Sequence, residues 1–501
     1  MTYVLGLLCL SAALELAIHL LPPTQKAPRR ILAVCAAGLI GFSSIVWLDQ
    51  AVVIFSVLMV VVSAYRIFNI ARTLRARMHA EYLWRVTRRT SYWLITAQGT
   101  LALLWAAWEQ VAVNTLLVWE VIIAGQFLTA LIMAISTWRH ARRMRTALTS
   151  EPVLSKELPS LTVAIPARNE TSDLEQCLES VLASDYPKLE VLVLDDCSQS
   201  TRTPEVIRSF AHRGVRFIQG REPAQNWLSK NQAYDDLVEA SSSELLVFIG
   251  VDIRLQPQTL RRLAGYSLHK DKDMVCVMPL NVSTGSQHAL IQPLRYLSEL
   301  ALPRRFFRRP PVLSSCWLIR KAALKRAGGF AAAARMIIPE AYFARQSVRH
   351  DGYSFLASGS ELGVASHKQG LAQRDTAIRV AYPQLHRRPE IVALLTSAVC
   401  IWSLTLLLVV VEAAVWRQFP AAALLLAVLT WGLYVFMYRT VLLLAYGRAG
   451  LMQLCSLPVA ALGYIWLVNY SMYKYEFSEV LWKGRNICLP VMHVFPRLPK
   501  L

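Results

Sequence analysis

Charged residues are scarce in this sequence, and acidic residues are the scarcer of the two signs. Only 17% of the 501 residues are charged, with 53 Lys+Arg against 33 Asp+Glu, whereas 55% are apolar. A soluble domain carries roughly a quarter charged residues, so most of this chain is unsuited to water. The composition therefore excludes a soluble monomer and a disordered tail protein.

Paired cysteine motifs are also missing. The nine cysteines are scattered, without a CxxC pair and without a Cys/His cluster at the spacing of a zinc site. This pattern excludes a disulfide-stabilised mini-protein and predicts free thiols.

The apolar residues are concentrated in runs of about 20 residues, which is long enough to span a bilayer. Five runs come first, at residues 3–21, 31–48, 51–70, 91–108 and 115–137. Two more, at 391–415 and 421–437, follow a long polar region. A last run at 451–470 is broken at Pro458 and polar at Asn469, so we expect it to lie in the membrane interface or to re-enter.

Basic residues alternate between the loops that join these runs. The loop after the first run, the loop after the third and the segment after the fifth are rich in Lys and Arg, whereas the other loops contain Asp49 or Glu109 and no base. The positive-inside rule then predicts a multi-pass protein of the plasma or inner membrane, with its N-terminus outside and its central region cytosolic. Basic clusters beside apolar runs indicate anionic lipid headgroups rather than nucleic acid as the partner.

The region between the two sets of runs has the pattern of an α/β domain. Short β-branched runs at 161–165, 191–194, 215–218 and 245–249 alternate with helix-like stretches at 173–183, 203–212 and 230–240. This alternation predicts βαβ units and a mainly parallel sheet. The predicted domains are an N-terminal transmembrane block (1–137), a cytosolic domain (138–390), C-terminal membrane or interfacial helices (391–472) and a basic tail (473–501).

Polar residues follow each predicted strand, where a parallel sheet binds its ligands. They are Pro166 to Glu170, the pair Asp195 and Asp196, Asn226 to Lys230, and Gly250 to Asp252. Carboxylates can accept hydrogen bonds from a nucleoside, cations can meet a diphosphate, and a carboxylate can hold a divalent ion. The alternative is that Asp195 and Asp196 only cap a turn.

These segments resemble the family 2 glycosyltransferases, enzymes with a GT-A fold that binds nucleotide sugars. VAIPARNE (163–170) is similar to their first-strand motif, LVLDDCS (192–198) to their VDD turn, NWLSK (226–230) to a GWxGK loop, and FIGVD (248–252) to their DxD motif. RVAYPQL (379–385) and WKGR (482–485) resemble the hopene-associated and ceramide glucosyltransferase-like branch.

The resemblance implies a role for each matching residue. The donor-binding residues would be Pro166, Arg168, Glu170, Asp195, Asp196 and Lys230. Asp252 would hold Mg²⁺ or Mn²⁺, and Glu340 would be the catalytic base. Arg379, Trp482 and Arg485 would close over the donor from the membrane side. The implied reaction is transfer of a sugar from a nucleotide diphosphate sugar to a lipid or lipid-linked acceptor, inverting and non-processive.

The sequence departs from the family at three positions. Gly250 replaces the first aspartate of DxD, Ala341 stands at the usual position of the base, and residues 376–380 keep only Arg379 of the Q/RxxRW motif. Glu340 could act from the adjacent position, or it could be only a helix N-terminal glutamate after Pro339. The alternative functions are a catalytically impaired nucleotide-sugar sensor or scaffold, and a polysaccharide synthase.

Two further patterns concern the membrane. Four arginines at 304, 305, 308 and 309 flank Phe306 and Phe307, which predicts a helix on an anionic membrane surface. Glu15 and His19 lie four residues apart in the first run, and Glu120 lies in the fifth. Ionisable residues inside a membrane are either functional or interhelical hydrogen-bond partners.

Overall fold

The N-terminal region consists of five long helices. The computed structural model describes residues 2–21, 25–50, 53–75, 81–111, 115–146, 158–224, 226–282, 292–301, 310–411 and 421–488. The helices are α1 (Thr2–Leu20), α2 (Lys26–Gln50), α3 (Val53–Arg75), α4 (Glu81–Val111) and α5 (Thr115–Thr146). Each coincides with one of the five apolar runs.

Four helical segments in the described residues are long and apolar enough to cross a membrane. They are Lys26–Trp47, Phe55–Leu74, Glu120–Arg145 and Ala422–Tyr446. The run at 91–108 is not among them, and it carries the polar residues Ser91 and Gln98. Both side chains are buried and bond to α3, where Asn69 donates to Ser91 at 2.9 Å and Gln98 donates to Ser63 at 2.8 Å.

The ionisable residues of α1 are bonded to neighbouring helices. Nε of Arg66 on α3 donates to Oε2 of Glu15 at 2.8 Å, and both side chains are 1% exposed. Nε2 of His19 lies 3.0 Å from the hydroxyl of Ser91 on α4. Glu15 and His19 are therefore interhelical hydrogen-bond partners.

A seven-stranded sheet forms the centre of the polar region, with strand order β3-β2-β1-β4-β8-β6-β9. The strands are β1 (Leu161–Ala167), β2 (Leu189–Asp195), β3 (Val215–Gln219), β4 (Leu245–Ile249), β6 (Met274–Met278), β8 (Cys316–Arg320) and β9 (Tyr353–Ala357). β8 pairs antiparallel with its two neighbours, β4 and β6. Every other pair of neighbouring strands in this sheet is parallel. The predicted α/β class with a mainly parallel sheet is confirmed.

Helices surround this sheet, and a small second sheet lies beside it. The helices are α6 (Ser172–Leu182), α7 (Arg202–Ser209), α8 (Ser229–Ala240), α9 (Thr259–His269), α10 (Gln292–Leu300), α11 (Lys321–Arg326), α12 (Pro339–Val348) and α13 (Gly359–Leu362). The small sheet joins β5 (Ile253–Leu255), β10 (Val364–Ser366) and β7 (Leu280–Asn281). The predicted helix at 203–212 was too long, because α7 ends at Ser209 and a 3₁₀ turn leads to Gly214 at φ 89°.

The C-terminal region is helical and ends in a short hairpin. Its elements are α14 (Gly370–Gln384), α15 (Pro389–Val411), α16 (Ala421–Tyr446), α17 (Leu451–Cys455), α18 (Leu457–Phe477), β11 (Leu481–Trp482) and β12 (Arg485–Asn486). Pro458 does not break the run at 451–470: the break falls at Ser456, and Pro458 sits in the first turn of α18. A proline is tolerated there because its missing N–H would have no partner in the helix.

The sheet and the apolar helices share one hydrophobic core. Phe248 and Trp317 on one face of the sheet belong to the same buried cluster as Ala141 on α5 and Met437 on α16. The opposite face packs in a separate cluster that includes α6 and α9. This face of the sheet therefore packs against the apolar helices. The predicted arginine and phenylalanine cluster at 304–309 lies outside the described residues.

Candidate functional site

The two aspartates after β2 have different surroundings. Oδ1 of Asp195 accepts a hydrogen bond from the backbone N–H of Ser198 at 3.3 Å, so Asp195 does cap the turn. Asp196 instead contacts distant parts of the chain. Its Oδ2 accepts from the hydroxyl of Ser229 at 2.6 Å, and its Oδ1 accepts from Arg485 at 2.6 Å.

Arg168 holds this turn in place. Its guanidinium donates to the carbonyl oxygens of Asp196 and Cys197, and its Nε donates to the carbonyl of Lys483 at 3.0 Å. Pro166 lies opposite Leu194 in the parallel register of β1 and β2. Arg168 thus connects the end of β1, the end of β2 and the C-terminal hairpin.

The C-terminal hairpin, residues 481–486, covers these strand ends. Nη1 of Arg485 bonds Asp196, and its Nη2 lies 3.1 Å from a carboxylate oxygen of Glu222. Nζ of Lys483 bonds Oε1 of Glu170. Trp482 of the hairpin contacts Arg379, whose guanidinium carbon lies 5.6 Å from the centroid of the Trp482 ring. The three residues predicted to close over a donor, Arg379, Trp482 and Arg485, are therefore brought together.

Burial shifts the protonation of the carboxylates beneath the hairpin. Loss of solvation raises the pKa of Asp196, and the bonds from Ser229 and Arg485 oppose this effect only in part. Loss of solvation likewise raises the pKa of Glu170, against the attraction of Lys483. In both cases the neighbouring cation favours the ionised form of the carboxyl group.

The N-terminus of α8 brings a lysine to the same edge. Ser229 begins the helix next to Asp196, and Lys230 follows in the first turn. Nζ of Lys230 lies 2.9 Å from Oε1 of Glu340, whose side chain is fully buried. Burial lowers the pKa of Lys230, but the carboxylate of Glu340 and the neighbouring Tyr234 together raise it by more, so the net shift is upward. The amide of Asn231 fixes this arrangement by donating to three backbone carbonyls between residues 333 and 336.

Asp252 is the residue that the sequence predicts to hold a metal ion. Its Oδ2 accepts from the hydroxyl of Ser366 at 3.2 Å. A Cβ at Gly250 would lie 2.7 Å from its Oδ1, so the carboxylate of Asp252 fills the space beside the glycine. No group of three or more His, Cys, Asp or Glu side chains that could hold a metal occurs in the described ranges. One carboxylate together with substrate phosphates suits Mg²⁺ or a similar ion, so the residues present fit a metal that binds with its nucleotide.

Several residues of the site carry no sequence signal. Glu222 bonds Arg485 but lies in none of the motifs recognised in the sequence. Lys368 and Arg295 also match no motif, and the charge of Arg295 lowers the pKa of both Lys368 and Arg379. The position of Lys368 depends on β10, which has three residues and is too short to recognise from alternation.

The match to a family model identifies the sheet-bearing segment. Residues 162–328 match the family described as Glycosyl transferase family 2. These residues form a family 2 glycosyltransferase domain. The prediction of such a domain is confirmed at this level, while the ceramide glucosyltransferase-like branch stays a prediction.

Curated relatives of the family 2 domain are similar over part of their length. Glycosyltransferase AglE of Haloferax volcanii is 32% identical over 113 residues, which is 22% of this chain and 36% of that protein. A 4,4'-diaponeurosporenoate glycosyltransferase of Staphylococcus haemolyticus is 25% identical over 143 residues, which is 28% of this chain and 36% of that protein. The chain thus spans about a third of the length of these curated relatives.

Among solved structures, the mannosyltransferase PcManGT of Pyrobaculum calidifontis, in complex with GDP-Man and Mn²⁺, covers 71% of this chain and 98% of its own. It is 15% identical, with a TM-score of 0.40. A similarity at this level carries no argument about function.

Proposed function

We propose that this protein is a membrane glycosyltransferase that moves a sugar from a nucleotide diphosphate sugar to a lipid or lipid-linked acceptor. The observation that carries the proposal is the convergence on Asp196. Ser229 at the start of α8 and Arg485 of the hairpin, which are far apart in the sequence, both bond its carboxylate. Lys230 lies in the same helical turn as Ser229 and supplies a cation at the helix N-terminus, where anions are favoured.

The donor would lie across the ends of β1, β2 and β4. Asp195 and Asp196 would hold the nucleoside, with Arg168 fixing their turn. Lys230 would meet the diphosphate. Asp252 would hold the divalent ion, which when bound stabilises the negative charge of the leaving diphosphate. The hairpin of Trp482 and Arg485 would exchange its contacts with Asp196 for contacts with the donor.

The acceptor is proposed to come from the membrane. The sheet shares its core with α5 and α16, which both contain segments apolar enough to cross a bilayer. A site at this boundary could receive the polar head of a lipid while its chain remains in the bilayer. In this proposal the sheet domain lies on the cytosolic side of the membrane. The basic clusters beside the apolar helices contact anionic lipid headgroups.

Glu340 is the proposed base for an acceptor that must lose a proton. Its Oε1 is paired with Lys230, and its Oε2 is buried without a hydrogen-bond partner in the described part of the chain. An inverting transfer to a hydroxyl needs such an acceptor of the proton.

The test is transfer into lipid by the full-length protein in nanodiscs. Radiolabelled UDP- and GDP-sugars are supplied with a total lipid extract, and label in the lipid phase is measured. Wild type should transfer label from at least one donor, and Asp252→Asn should lose transfer. Asp351→Asn is the control, because its carboxylate is 98% exposed. Donor binding without transfer to any lipid would contradict the enzymatic proposal.

A nucleotide-sugar sensor or scaffold is the second candidate. It is favoured by the hairpin, whose Lys483 and Arg485 already bond Glu170 and Asp196. In this alternative, a donor would displace the hairpin and change its position without any turnover. A polysaccharide synthase would instead give products of many sugars, which mass spectrometry of the labelled lipid distinguishes from a single addition.

A further inference from the structure

A proline lies inside helix α14, four residues after Arg379. Pro383 has no backbone N–H, so it cannot donate the helical hydrogen bond that the carbonyl of Arg379 would otherwise accept. The hydroxyl of Tyr475 on α18 donates to this carbonyl at 2.7 Å instead. A side chain 96 positions further along the chain therefore completes the backbone of α14 at a residue that the sequence predicts to close over a donor.

Ser471, one turn earlier on α18, bonds the neighbouring backbone groups of α14. Its hydroxyl donates to the carbonyl of Ile378 and accepts from the N–H of Tyr382 at 3.1 Å. In an unbroken helix these two groups would bond each other, because each N–H bonds the carbonyl four residues before it. Ser471 thus bridges one step of the helix, and Tyr475 supplies the donor for the next step. We call residues 378–383 the proline turn.

Both hydroxyl groups lie in the protein interior. Ser471 is fully buried and Tyr475 is 2% exposed, so water has little access to take the place of either hydroxyl. A buried backbone carbonyl without a partner costs about as much free energy as a lost hydrogen bond. The two side chains of α18 therefore stabilise the proline turn in the conformation that the structure shows.

The chain that follows Tyr475 also contacts the side chain of Arg379. Helix α18 ends at Phe477, and Trp482 of the hairpin follows five residues later. The guanidinium carbon of Arg379 lies 5.6 Å from the centroid of the Trp482 ring, which is a cation–π contact. Residues 475–482 therefore hold Arg379 at both ends, through its carbonyl and through its guanidinium.

Helix α18 is anchored to α3 on either side of the two hydroxyls. The hydroxyl of Tyr65 on α3 donates to the side-chain carbonyl of Asn469. Nε of Arg72 on α3 lies 2.6 Å from Oε2 of Glu476. These bonds lie just before and just after the hydroxyls that contact the proline turn. The N-terminal helices therefore fix the part of α18 that holds Arg379.

We propose that Ser471 and Tyr475 are positioning residues for glycosyl transfer. They hold the proline turn so that Arg379 reaches Trp482 over the donor site, and they act through Arg379 without touching the donor. This inference rests on the proposed function and adds two residues that lie outside every motif recognised in the sequence. It also gives Pro383 a role, because the proline leaves the carbonyl of Arg379 free for Tyr475.

Removing one hydroxyl at a time tests this role. Tyr475→Phe keeps the ring and loses the bond to the carbonyl of Arg379, whereas Ser471→Ala loses the bridge. Each variant should raise the Kd of the nucleotide sugar about fivefold, the factor expected from one neutral hydrogen bond. Calorimetric titration of the full-length protein in nanodiscs with Mn²⁺ and UDP- or GDP-sugars measures the Kd. The control is Tyr473→Phe, since Tyr473 is 51% exposed on the same helix.

A double variant separates positioning from stability. Losing a buried hydrogen bond also lowers the Tm, so the Tm of Tyr475→Phe should fall. Pro383→Ala restores an N–H that can bond the carbonyl of Arg379 within α14. The double variant Tyr475→Phe with Pro383→Ala should therefore recover most of the Tm, whereas the Kd of the donor should stay raised because α18 no longer holds the turn. Recovery of both quantities would show that Tyr475 only satisfies a buried carbonyl and would overturn the inference.

The remaining outcomes distinguish this inference from the proposed function. Wild type that binds no nucleotide sugar would contradict the proposed function. Wild type that binds a nucleotide sugar, with the same Kd in Ser471→Ala and Tyr475→Phe, would overturn the inference alone. A Kd raised as much in Tyr473→Phe as in Tyr475→Phe would also overturn it, because the effect would not depend on the contact with Arg379.

Discussion

The Nζ atom of Lys230 lies 2.9 Å from Oε1 of Glu340, a residue 110 positions further along the chain. The pair joins the first turn of α8 to the first turn of α12. The carboxylate of Glu340 is fully buried, whereas the side chain of Lys230 remains one-fifth exposed. A lysine on the donor side is thus bound to the residue at which the sequence predicts a base.

Glu340→Gln should separate the two roles of this carboxylate. Removing one member of a buried pair costs about 3 kcal/mol, so the Tm should fall. A catalytic base contributes roughly 100- to 10,000-fold to a rate. Because Glu340 is the proposed base, we expect transfer to fall by at least about a hundredfold.

The control for stability is the double variant Lys230→Met with Glu340→Met. It leaves neither charge buried, so its Tm should lie above that of Glu340→Gln. Differential scanning fluorimetry measures the Tm, and label in the lipid phase measures the rate. A rate in Glu340→Gln within about tenfold of wild type would show that Glu340 is not the base and only pairs with Lys230.

Arg485→Ala should weaken donor binding through the hairpin. The side chain of Arg485 forms ion pairs with Asp196 and Glu222. When the donor binds, we expect Arg485 to form hydrogen bonds with the donor instead. Loss of a charge-assisted hydrogen bond costs about 1.5–3 kcal/mol, so the Kd of the nucleotide sugar should rise roughly 10- to 100-fold. Isothermal titration calorimetry measures the Kd. Leu481→Ala, at a residue 60% exposed in the same hairpin, should leave it unchanged.

The position of the hairpin should also depend on the ion pair between the N-terminal helix α3 and α18. Nε of Arg72 on α3 lies 2.6 Å from Oε2 of Glu476, near the end of α18, and both side chains are 6% exposed. Tyr382 donates to the other oxygen of Glu476 at 3.0 Å. Arg72→Ala should therefore lower the Tm and raise the KM of the donor, because α18 leads directly into the hairpin.

The exchanged pair, Arg72→Glu with Glu476→Arg, should recover part of both losses. Leu74→Ala is the control, since Leu74 is 37% exposed on the same helix. An Arg72→Ala variant with a lower Tm and an unchanged donor KM would show that the ion pair is only structural.

Donor binding should weaken in acid at a higher pH than an ordinary aspartate predicts. Burial raises the folded-state pKa of Asp196, so the carboxylate that would accept hydrogen bonds from the nucleoside becomes protonated as pH falls through this raised value. Because the folded protein holds this proton more tightly than the unfolded chain does, protonation of Asp196 raises the free energy of unfolding at low pH. This contribution to stability is lost as pH rises through the folded-state pKa of Asp196. The Kd of the nucleotide sugar measured against pH should show a step that is absent in Asp196→Asn.

Glu170→Gln is the control for this pH step. Burial raises the pKa of Glu170 as well, so its own titration could produce a step. The step should persist in Glu170→Gln if Asp196 causes it, and its disappearance there would assign it to Glu170.

A divalent ion should bind together with the nucleotide. Asp252 is a single carboxylate, so Mg²⁺ or Mn²⁺ alone should bind weakly, and either ion should tighten nucleotide binding. Asp252→Asn should abolish this effect. Gly250→Ala should weaken it, because the added Cβ would lie 2.7 Å from Oδ1 of Asp252. A metal effect of equal size in Asp252→Asn would contradict the assignment.

Local patterns predicted the elements better than the contacts between them. The strand at 245–249 was predicted with its observed ends, because its run of apolar residues is buried on both faces of the sheet. The motifs that contain Asp196 and Arg485 were also recognised, but their contact spans 289 positions and no local period encodes it. Arg295 matched no motif, since its burial depends on how α10 packs against α5 and α16. Pro458 was misplaced as a break because a proline suits the first turn of a helix as well as its end.

The most direct test of the account is nucleotide-sugar binding by the full-length protein in nanodiscs, for wild type and for Asp196→Ala. Calorimetric titration with UDP- and GDP-sugars in the presence of Mn²⁺ should show saturable binding of at least one donor by wild type. Asp196→Ala, with a retained Tm, should lose that binding. Wild type that binds no nucleotide sugar, or Asp196→Ala that binds it as tightly as wild type, would contradict the account.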